Sequence, residues 1–170
     1  RNKELLKYAQ TDALTGLYNK ETTEQLTDEL LSEDENKYHA FLILDVDCFK
    51  QINDIYGHAV GDIVLQKFGK LLKGTFREGD ILGRIGGDEF GVIMKNIQTK
   101  DIAMKKAEEL LAKTQAYKID ELKGNNISIS IGISTAPQDG DCYMDLYKRA
   151  DQALYQAKRS GKARVCNYFS

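Results

Sequence analysis

Apolar residues in this chain gather into unbroken runs, strict alternations and helical stripes, and each pattern predicts an element. The run over 38–46, Tyr-His-Ala-Phe-Leu-Ile-Leu-Asp-Val, has almost no polar face. It reads as a strand buried on both sides, central in its sheet. Ile81-Leu82 and the stretch from Phe90 to Met94 flank Arg84-Ile85-Gly86-Gly87-Asp88-Glu89. Gly-Gly between two such runs predicts a β-hairpin, with the glycines taking the positive φ angles of a tight turn. Ile127, Ile129, Ile131 and Ile133 alternate with Ser128, Ser130, Gly132 and Ser134, which predicts a half-buried strand. The stretch 119–126 reads as a short, exposed β excursion, and 163–168 as an edge strand.

Helical spacing fills the intervals. Leu5, Leu6 and Ala9 share a face over 1–10, too short to hold as a helix alone and expected to be the tail of an upstream signalling helix. After a loop over 11–19, Asn19 is the N-cap candidate for a helix over 20–32. A short helix over 49–55 is expected to end at Gly57. A longer one over 60–73 has Val60, Val64, Phe68 and Leu71 or Leu72 inward. Another starts at Thr99 or Asp101 and runs to 115 with an amphipathic pattern. The last covers 143–160, with Leu146, Ala150, Ala153, Leu154 and Ala157 inward and Gly161 as its stop. The acidic stretch 32–37 reads as an exposed connection. Strands and helices interleave around a hairpin, which predicts an α+β sandwich: a mixed sheet flanked by helices, forming one domain over 11–170.

Composition narrows the function classes. The 170 residues include 42% hydrophobic and 29% charged side chains, an ordinary globular balance. A net charge of −2 gives no overall attraction to nucleic acid or an anionic membrane. Phosphate binding would have to come from local groups. Cys48, Cys142 and Cys166 are widely spaced and odd in number, which fits a reducing cytoplasm rather than a disulfide framework. No apolar run approaches a membrane span. The chain begins at Arg1 rather than Met, so a longer protein with an upstream sensory domain is expected. The location is then cytoplasmic, or the cytoplasmic part of a membrane-bound sensor.

The chemistry is suggested by acids at strand ends. Asp45 and Asp47 close one apolar run, and Asp88 and Glu89 follow the glycine turn. If the two runs are sheet neighbours, these carboxylates converge at one edge, where mutual repulsion demands protons or a cation. An all-oxygen cluster suits Mg²⁺, which is usually held by one or two carboxylates plus substrate phosphates.

Four motifs in order carry a family resemblance. Asp12-Ala-Leu-Thr-Gly-Leu-Tyr-Asn19 comes first, and the block from Asp45 through Phe49-Lys50, Asn53-Asp54 and Gly57-His58 to Gly61-Asp62 follows. The pentapeptide Gly86-Gly87-Asp88-Glu89-Phe90 and the stretch from Asp151 to Lys162 complete the set. Together they resemble the GGDEF family of diguanylate cyclases over nearly the whole chain. The resemblance implies a palm-like domain with a central five-stranded mixed sheet, related to nucleotidyl cyclase catalytic domains. It also implies condensation of two GTP into cyclic di-GMP and two pyrophosphates at the interface of a two-fold dimer.

Roles follow from the same resemblance. Asp45, Asp88 and the Val46 carbonyl would hold Mg²⁺ or Mn²⁺, and Glu89 would be a further ligand or a helper in deprotonation. Asp47 stands evenly between function and structure. Gly86 and Gly87 would let the backbone approach the triphosphate. Asn53 and Asp62 would read guanine, in a pocket lined by Phe49, Leu65 and Leu14. Lys50, Lys158 and Lys162 would bind phosphates, the last two sharing one side of the final helix's end. Lys162 stands where the family usually has arginine, which keeps the charge but loses the planar fork. Arg77 and Asp80 match the family's R-x-x-D inhibitory site for product, with Asp80 expected on a guanine edge. Asp12 and Arg84 read as a structural ion pair, and His39 and His58 as structural. The runner-up function is a non-catalytic module that binds GTP or cyclic di-GMP to regulate a partner. Such modules generally lose hairpin acids or glycines, which this chain keeps.

Overall fold

The computed structural model describes residues 2–33 and 37–169. Residues 34–36, within the connection expected over 32–37, lie outside the described residues, as do the two terminal residues. Helices α1 (Asn2–Gln10) and α2 (Lys20–Glu33) precede the first strand, β1 (Tyr38–Val46). Then come α3 (Phe49–Tyr56), α4 (His58–Thr75), β2 (Ile81–Arg84), β3 (Glu89–Ile97) and α5 (Lys100–Ala116). Strands β4 (Lys118–Ile119) and β5 (Asn125–Asn126) form a minimal ribbon around a 3₁₀ turn, before β6 (Ile129–Ala136), α6 (Tyr143–Arg159) and β7 (Val165–Asn167). No helix among the described residues is long and apolar enough to cross a membrane.

The main sheet has five strands in the order β2-β3-β1-β6-β7. β1 lies between β3 and β6, antiparallel to both, and β7 joins β6 in parallel. The central place expected for β1 is thus observed. Its side chains alternate between two cores. Leu42 and Leu44 pack with Val64, Phe68 and Leu72 of α4 and Leu110 of α5. Phe41 and Ile43 pack with Leu31 of α2 and with Tyr143, Leu146, Ala150 and Leu154 of α6. Phe68 meets Phe90 edge to face, with ring centroids 4.9 Å apart, joining α4 to the hairpin.

Three expectations need correction. The strand read as half-buried is buried along its whole length, including Ser130 and Ser134. The reason is the size of the alternate residues. A Cβ on Gly132 would lie 2.2 Å from the Ala150 carbonyl oxygen and 2.3 Å from the Leu154 nitrogen, so α6 seats directly on the strand backbone. Ser134 gives its hydroxyl hydrogen bond to the Leu146 carbonyl at 2.8 Å, and thus stays satisfied under the helix. The excursion over 119–126 is not simply exposed: Ile119 and Leu122 are core residues beside α4 and α5. In the hairpin, neither Gly86 nor Gly87 takes a positive φ. The turn is closed instead by hydrogen bonds from the Ile85 and Gly86 amides to the Glu89 carbonyl, at 2.9 and 3.2 Å.

Candidate active site

The topology places the acids together. Asp45, at the end of β1, lies directly across from Glu89, the first residue of β3. The Val46 amide donates to the Asp88 carbonyl at 3.3 Å, extending the pairing one step past the strand. Asp45 and Glu89 are register partners, so both side chains leave the same face of the sheet. That face is covered by α6.

Burial and like charge perturb this edge. Asp45 is pushed up to about 7, first by desolvation and next by the neighbouring Asp88 carboxyl. The ammonium of Lys158, on the last turn of α6, donates a hydrogen bond to Asp45 Oδ2 and partly offsets the shift. Burial works against the Lys158 charge, but the hydrogen bond to Asp45 and the charges of Asp45, Asp88 and Asp47 outweigh it, so its pKa is raised. A cation therefore already sits against the acid pair. This all-oxygen donor set, already balanced by a positive group, fits a hard divalent ion.

Glu89, across from Asp45, has a hydrogen-bond partner of its own on α6. Its Oε1 accepts a hydrogen bond from the Tyr147 hydroxyl at 2.7 Å. Desolvation is the main influence raising its pKa, with the charges of Asp151 and Asp45 adding to it. Tyr147 was not among the sequence candidates. Its one sequence signal is position: it lies eleven residues, about three helical turns, before Lys158, which puts both on the α6 stripe that faces the acids.

Asp47 resolves toward structure. Its carboxylate accepts from the Ser128 and Ser130 hydroxyls, both at 2.6 Å, and from the Ala163 amide at 3.1 Å. It ties the end of β1 to β6 and to the turn after α6. The expectation that Lys158 and Lys162 share a helix side is corrected as well. α6 stops at Arg159, and Lys162 lies in the following turn with φ 63°. From there its ammonium donates to Cys48 Sγ at 3.2 Å, which brings it beside the loop between β1 and α3.

The other predicted residues fall as follows. Lys50 is exposed on α3. Asn53 rests on α4 where a Cβ on Gly61 would come within 1.9 Å of its Oδ1, so the glycine makes room for the carboxamide. Asp62 is exposed rather than buried, because it sits on the outer side of α4 next to that contact. Phe49 and Leu14 are half-buried against the core, whereas Leu65 is 2% exposed and belongs to the core itself. Gly86 and Gly87 are exposed, and a Cβ on Gly87 would meet only open space.

Asp12 and Arg84 form the expected ion pair at 3.2 Å. Arg84 also donates to the Gly87 carbonyl through Nε at 3.0 Å and Nη2 at 2.7 Å, so one guanidinium clamps the glycine turn to the N-terminal loop. Arg77 is largely exposed and pairs with Asp80 at 3.3 Å. The Asp80 side chain is only 2% exposed. It accepts from the Arg77 amide at 3.2 Å and the Lys95 amide at 3.1 Å. In this arrangement the Asp80 carboxylate braces the turn that carries Arg77. Clefts of about 930 Å³ beside β7 and about 730 Å³ around the 137–141 loop are lined by none of Asp45, Asp88 or Glu89. At the acid site Asp45 is buried and Asp88 and Glu89 are half-buried.

Comparison with known proteins agrees with this geometry. A family model described as diguanylate cyclase, GGDEF domain, matches residues 9–164. Diguanylate cyclase A of Treponema denticola is 37% identical over 96% of this chain and 46% of its own length. The response regulator PleD of Caulobacter vibrioides is 38% identical over 94% of this chain and 36% of its own length. The chain thus spans less than half the length of either curated relative. Among solved structures, the GGDEF domain of TpbB from Pseudomonas aeruginosa superposes with a TM-score of 0.88 at 33% identity, covering 94% of each chain. The coiled coil and GGDEF domain of DgcB from Caulobacter crescentus, in complex with c-di-GMP, gives a TM-score of 0.89 at 25% identity. It covers 98% of this chain and 89% of that one.

Proposed function

Because the chain belongs to the GGDEF family of diguanylate cyclases, we propose that it condenses two GTP into cyclic di-GMP and two pyrophosphates at the interface of a two-fold dimer. The observation that carries the reading is the convergence of acids from separate segments at the end of β1, where Asp45 faces Glu89, the backbone of Val46 pairs with that of Asp88, and Lys158 is hydrogen-bonded to Asp45. Asp45, Asp88 and the Val46 carbonyl would hold Mg²⁺ or Mn²⁺, which when bound polarises the α-phosphate and neutralises triphosphate charge.

The chain's own groups do the rest. Lys158 transfers its ammonium from Asp45 to a phosphate oxygen once the ion and nucleotide arrive. Lys162 and Lys50 add positive charge along the same edge. The open space over Gly87 admits the triphosphate to the hairpin backbone. Asn53, seated on Gly61, and the exposed Asp62 present an amide and a carboxylate that match the acceptor and donor edges of guanine. Phe49 and Leu14 form the apolar wall, with Leu65 beneath. Glu89 takes the proton from the ribose 3′-hydroxyl. That oxygen forms a bond to the α-phosphorus of the facing GTP, and the bond to pyrophosphate breaks. The step occurs twice, once from each side, so each half-site needs the other. Product binding at Arg77 inhibits, with Asp80 holding the turn that presents the guanidinium.

The test is direct. Purified protein, dimerised through a fused coiled coil, is incubated with GTP and Mg²⁺, and cyclic di-GMP is quantified. Parent turnover with a loss of at least ~100-fold in Asp45→Ala is expected. A near-normal rate in that variant refutes the ligand role.

A further inference from the structure

The turn after α6 holds a conformation that two of its residues resist. Gly161, Lys162 and Ala163 take φ angles of 122°, 63° and 51°. Glycine accepts such angles freely, but a lysine and an alanine side by side in the left-handed region are strained. Strain of this kind persists only where the surroundings over-determine it. The Gly161 and Lys162 amides close the helix end on the Lys158 and Ala157 carbonyls at 3.3 and 3.0 Å, the Schellman pattern. The next amide, that of Ala163, leaves the helix and donates to the Asp47 carboxylate at 3.1 Å.

Asp47 is itself fixed. Its amide donates to the Ser128 carbonyl at 2.8 Å, and its two carboxylate oxygens accept from the Ser128 and Ser130 hydroxyls at 2.6 Å each. Asp47 and Ser130 are both buried. One carboxylate thus brackets the end of β1, the start of β6 and the turn after α6. Next to Asp47 in the chain is Cys48, whose Sγ accepts from Lys162 Nζ at 3.2 Å. The bracket and the ammonium therefore belong to one small unit, and the bracket fixes the backbone from which the ammonium reaches.

We propose that Asp47 is a positioning residue: its carboxylate pins the strained 161–163 turn to β1 and β6, and so holds the Lys162 ammonium where the phosphates of the nucleotide bind. Asp47 acts through Lys162 and touches no substrate atom. The inference rests on the cyclase reading above, in which Lys162 is a phosphate cation.

Asp47→Ala removes the bracket, and Asp47→Asn keeps it. The asparagine oxygen can accept from the Ala163 amide while its nitrogen donates to a serine hydroxyl, which accepts as well as donates. Binding of a non-hydrolysable GTP analogue and of guanosine to the full chain, with Mg²⁺ present, is measured by calorimetry. Asp47→Ala should weaken the analogue roughly tenfold, the loss of one hydrogen bond to a charged group, and leave guanosine within about twofold of the parent. Asp47→Asn should recover most of that loss. Lys162→Ala should weaken the analogue to a like degree. Asp47→Ala added to it should weaken the analogue no further, because a residue acting through Lys162 then has nothing to hold. In the coiled-coil dimer the loss should enter KM for GTP more than kcat.

Parental affinity for the analogue in either Asp47→Ala or Lys162→Ala overturns the proposal. So does an Asp47→Asn variant as weak as Asp47→Ala, which would assign the effect to the charge, or a full further loss in the Lys162→Ala background. Should Asp47→Ala be partly unfolded, both ligands lose affinity by the same factor, and their ratio still decides: a preference for the analogue lowered roughly tenfold supports the bracket, and a parental ratio refutes it. A parent dimer that binds the analogue and makes no cyclic dinucleotide defeats the cyclase reading instead, and the same ratio still reads the bracket.

Discussion

Single side chains in this protein have their charge set by what the fold places beside them. Asp12 is a case that can be isolated. Burial alone would raise its pKa, but hydrogen bonds from the Thr15 amide and hydroxyl and the charge of Arg84 outweigh it, and the carboxyl is held below 3.8. A depressed acid contributes stability above its unfolded value that is lost as pH falls through the folded one. Asp12→Asn should therefore cost about 1 kcal/mol near neutral pH, and the deficit should shrink as pH falls below 3.8. Urea unfolding of parent and variant across that range, with the Asp12 carboxyl titrated by NMR, checks both the sign and the window. Asp12 opens the first motif and Arg84 stands two residues before the glycine turn, and the pairing expected of them is observed. The Arg84 contact to the Gly87 carbonyl was not legible, because a backbone acceptor leaves no mark in sequence. The surroundings of Asp80 were hidden for a related reason. An R-x-x-D string does not reveal whether its carboxylate points outward or, as here, back to the Arg77 and Lys95 amides.

At the scale of elements, the sequence was most readable where burial is one-sided or complete. The bounds of β1 match the apolar run, because an edge-to-edge stretch of large side chains has only one way to be covered. The β6 pattern misled, since alternation with serine and glycine looks like solvent exposure. Small residues serve equally well as a bed for a closely seated helix. Gly132 marks the difference. Gly132→Ala would drive a methyl group into the backbone of α6 at Ala150 and Leu154, where no rotamer change can relieve it. A loss of roughly 2–3 kcal/mol is expected, which at this chain length lowers the melting temperature by roughly 2–4 °C per kcal/mol. Because α6 carries Tyr147 and Lys158, activity should fall further than that of a variant equally destabilised at α5. Calorimetry and initial rates on the two variants measure the gap. Lys162 shows a different limit: its four-residue spacing from Lys158 suggested one helix face, yet the helix ends between them, and only the observed turn brings its ammonium to Cys48.

At the scale of the whole molecule, the acids lie at the end of the central strand, and none of Asp45, Asp88 and Glu89 lines either of the two large clefts. On the proposed reading, each chain would bind one nucleotide there and leave its α-phosphate available to a second chain. Catalysis that requires two such sites should depend on protein concentration. The unfused chain should give rates rising as the square of concentration when dilute, and the coiled-coil fusion should give rates proportional to concentration by raising the effective concentration of the partner site. Initial rates over a hundredfold dilution series distinguish the two, and a first-order unfused chain would contradict the two-site requirement. Sequence could supply the motif residues at that strand end but not the partners that the fold gives them, Tyr147 on Glu89 among them.

The pairing of Asp45 with Glu89 also limits how the protein can change over time. Side chains on a strand alternate faces at every step, so a one-residue slip of β3 against β1, such as a misfitted β2–β3 turn could force, would send Glu89 to the α4 side, away from Tyr147. Loop length is normally the cheapest thing for a lineage to vary. In this turn it is locked, and insertions would be tolerated only at sites such as the 137–141 loop, which sets the phase of no acid.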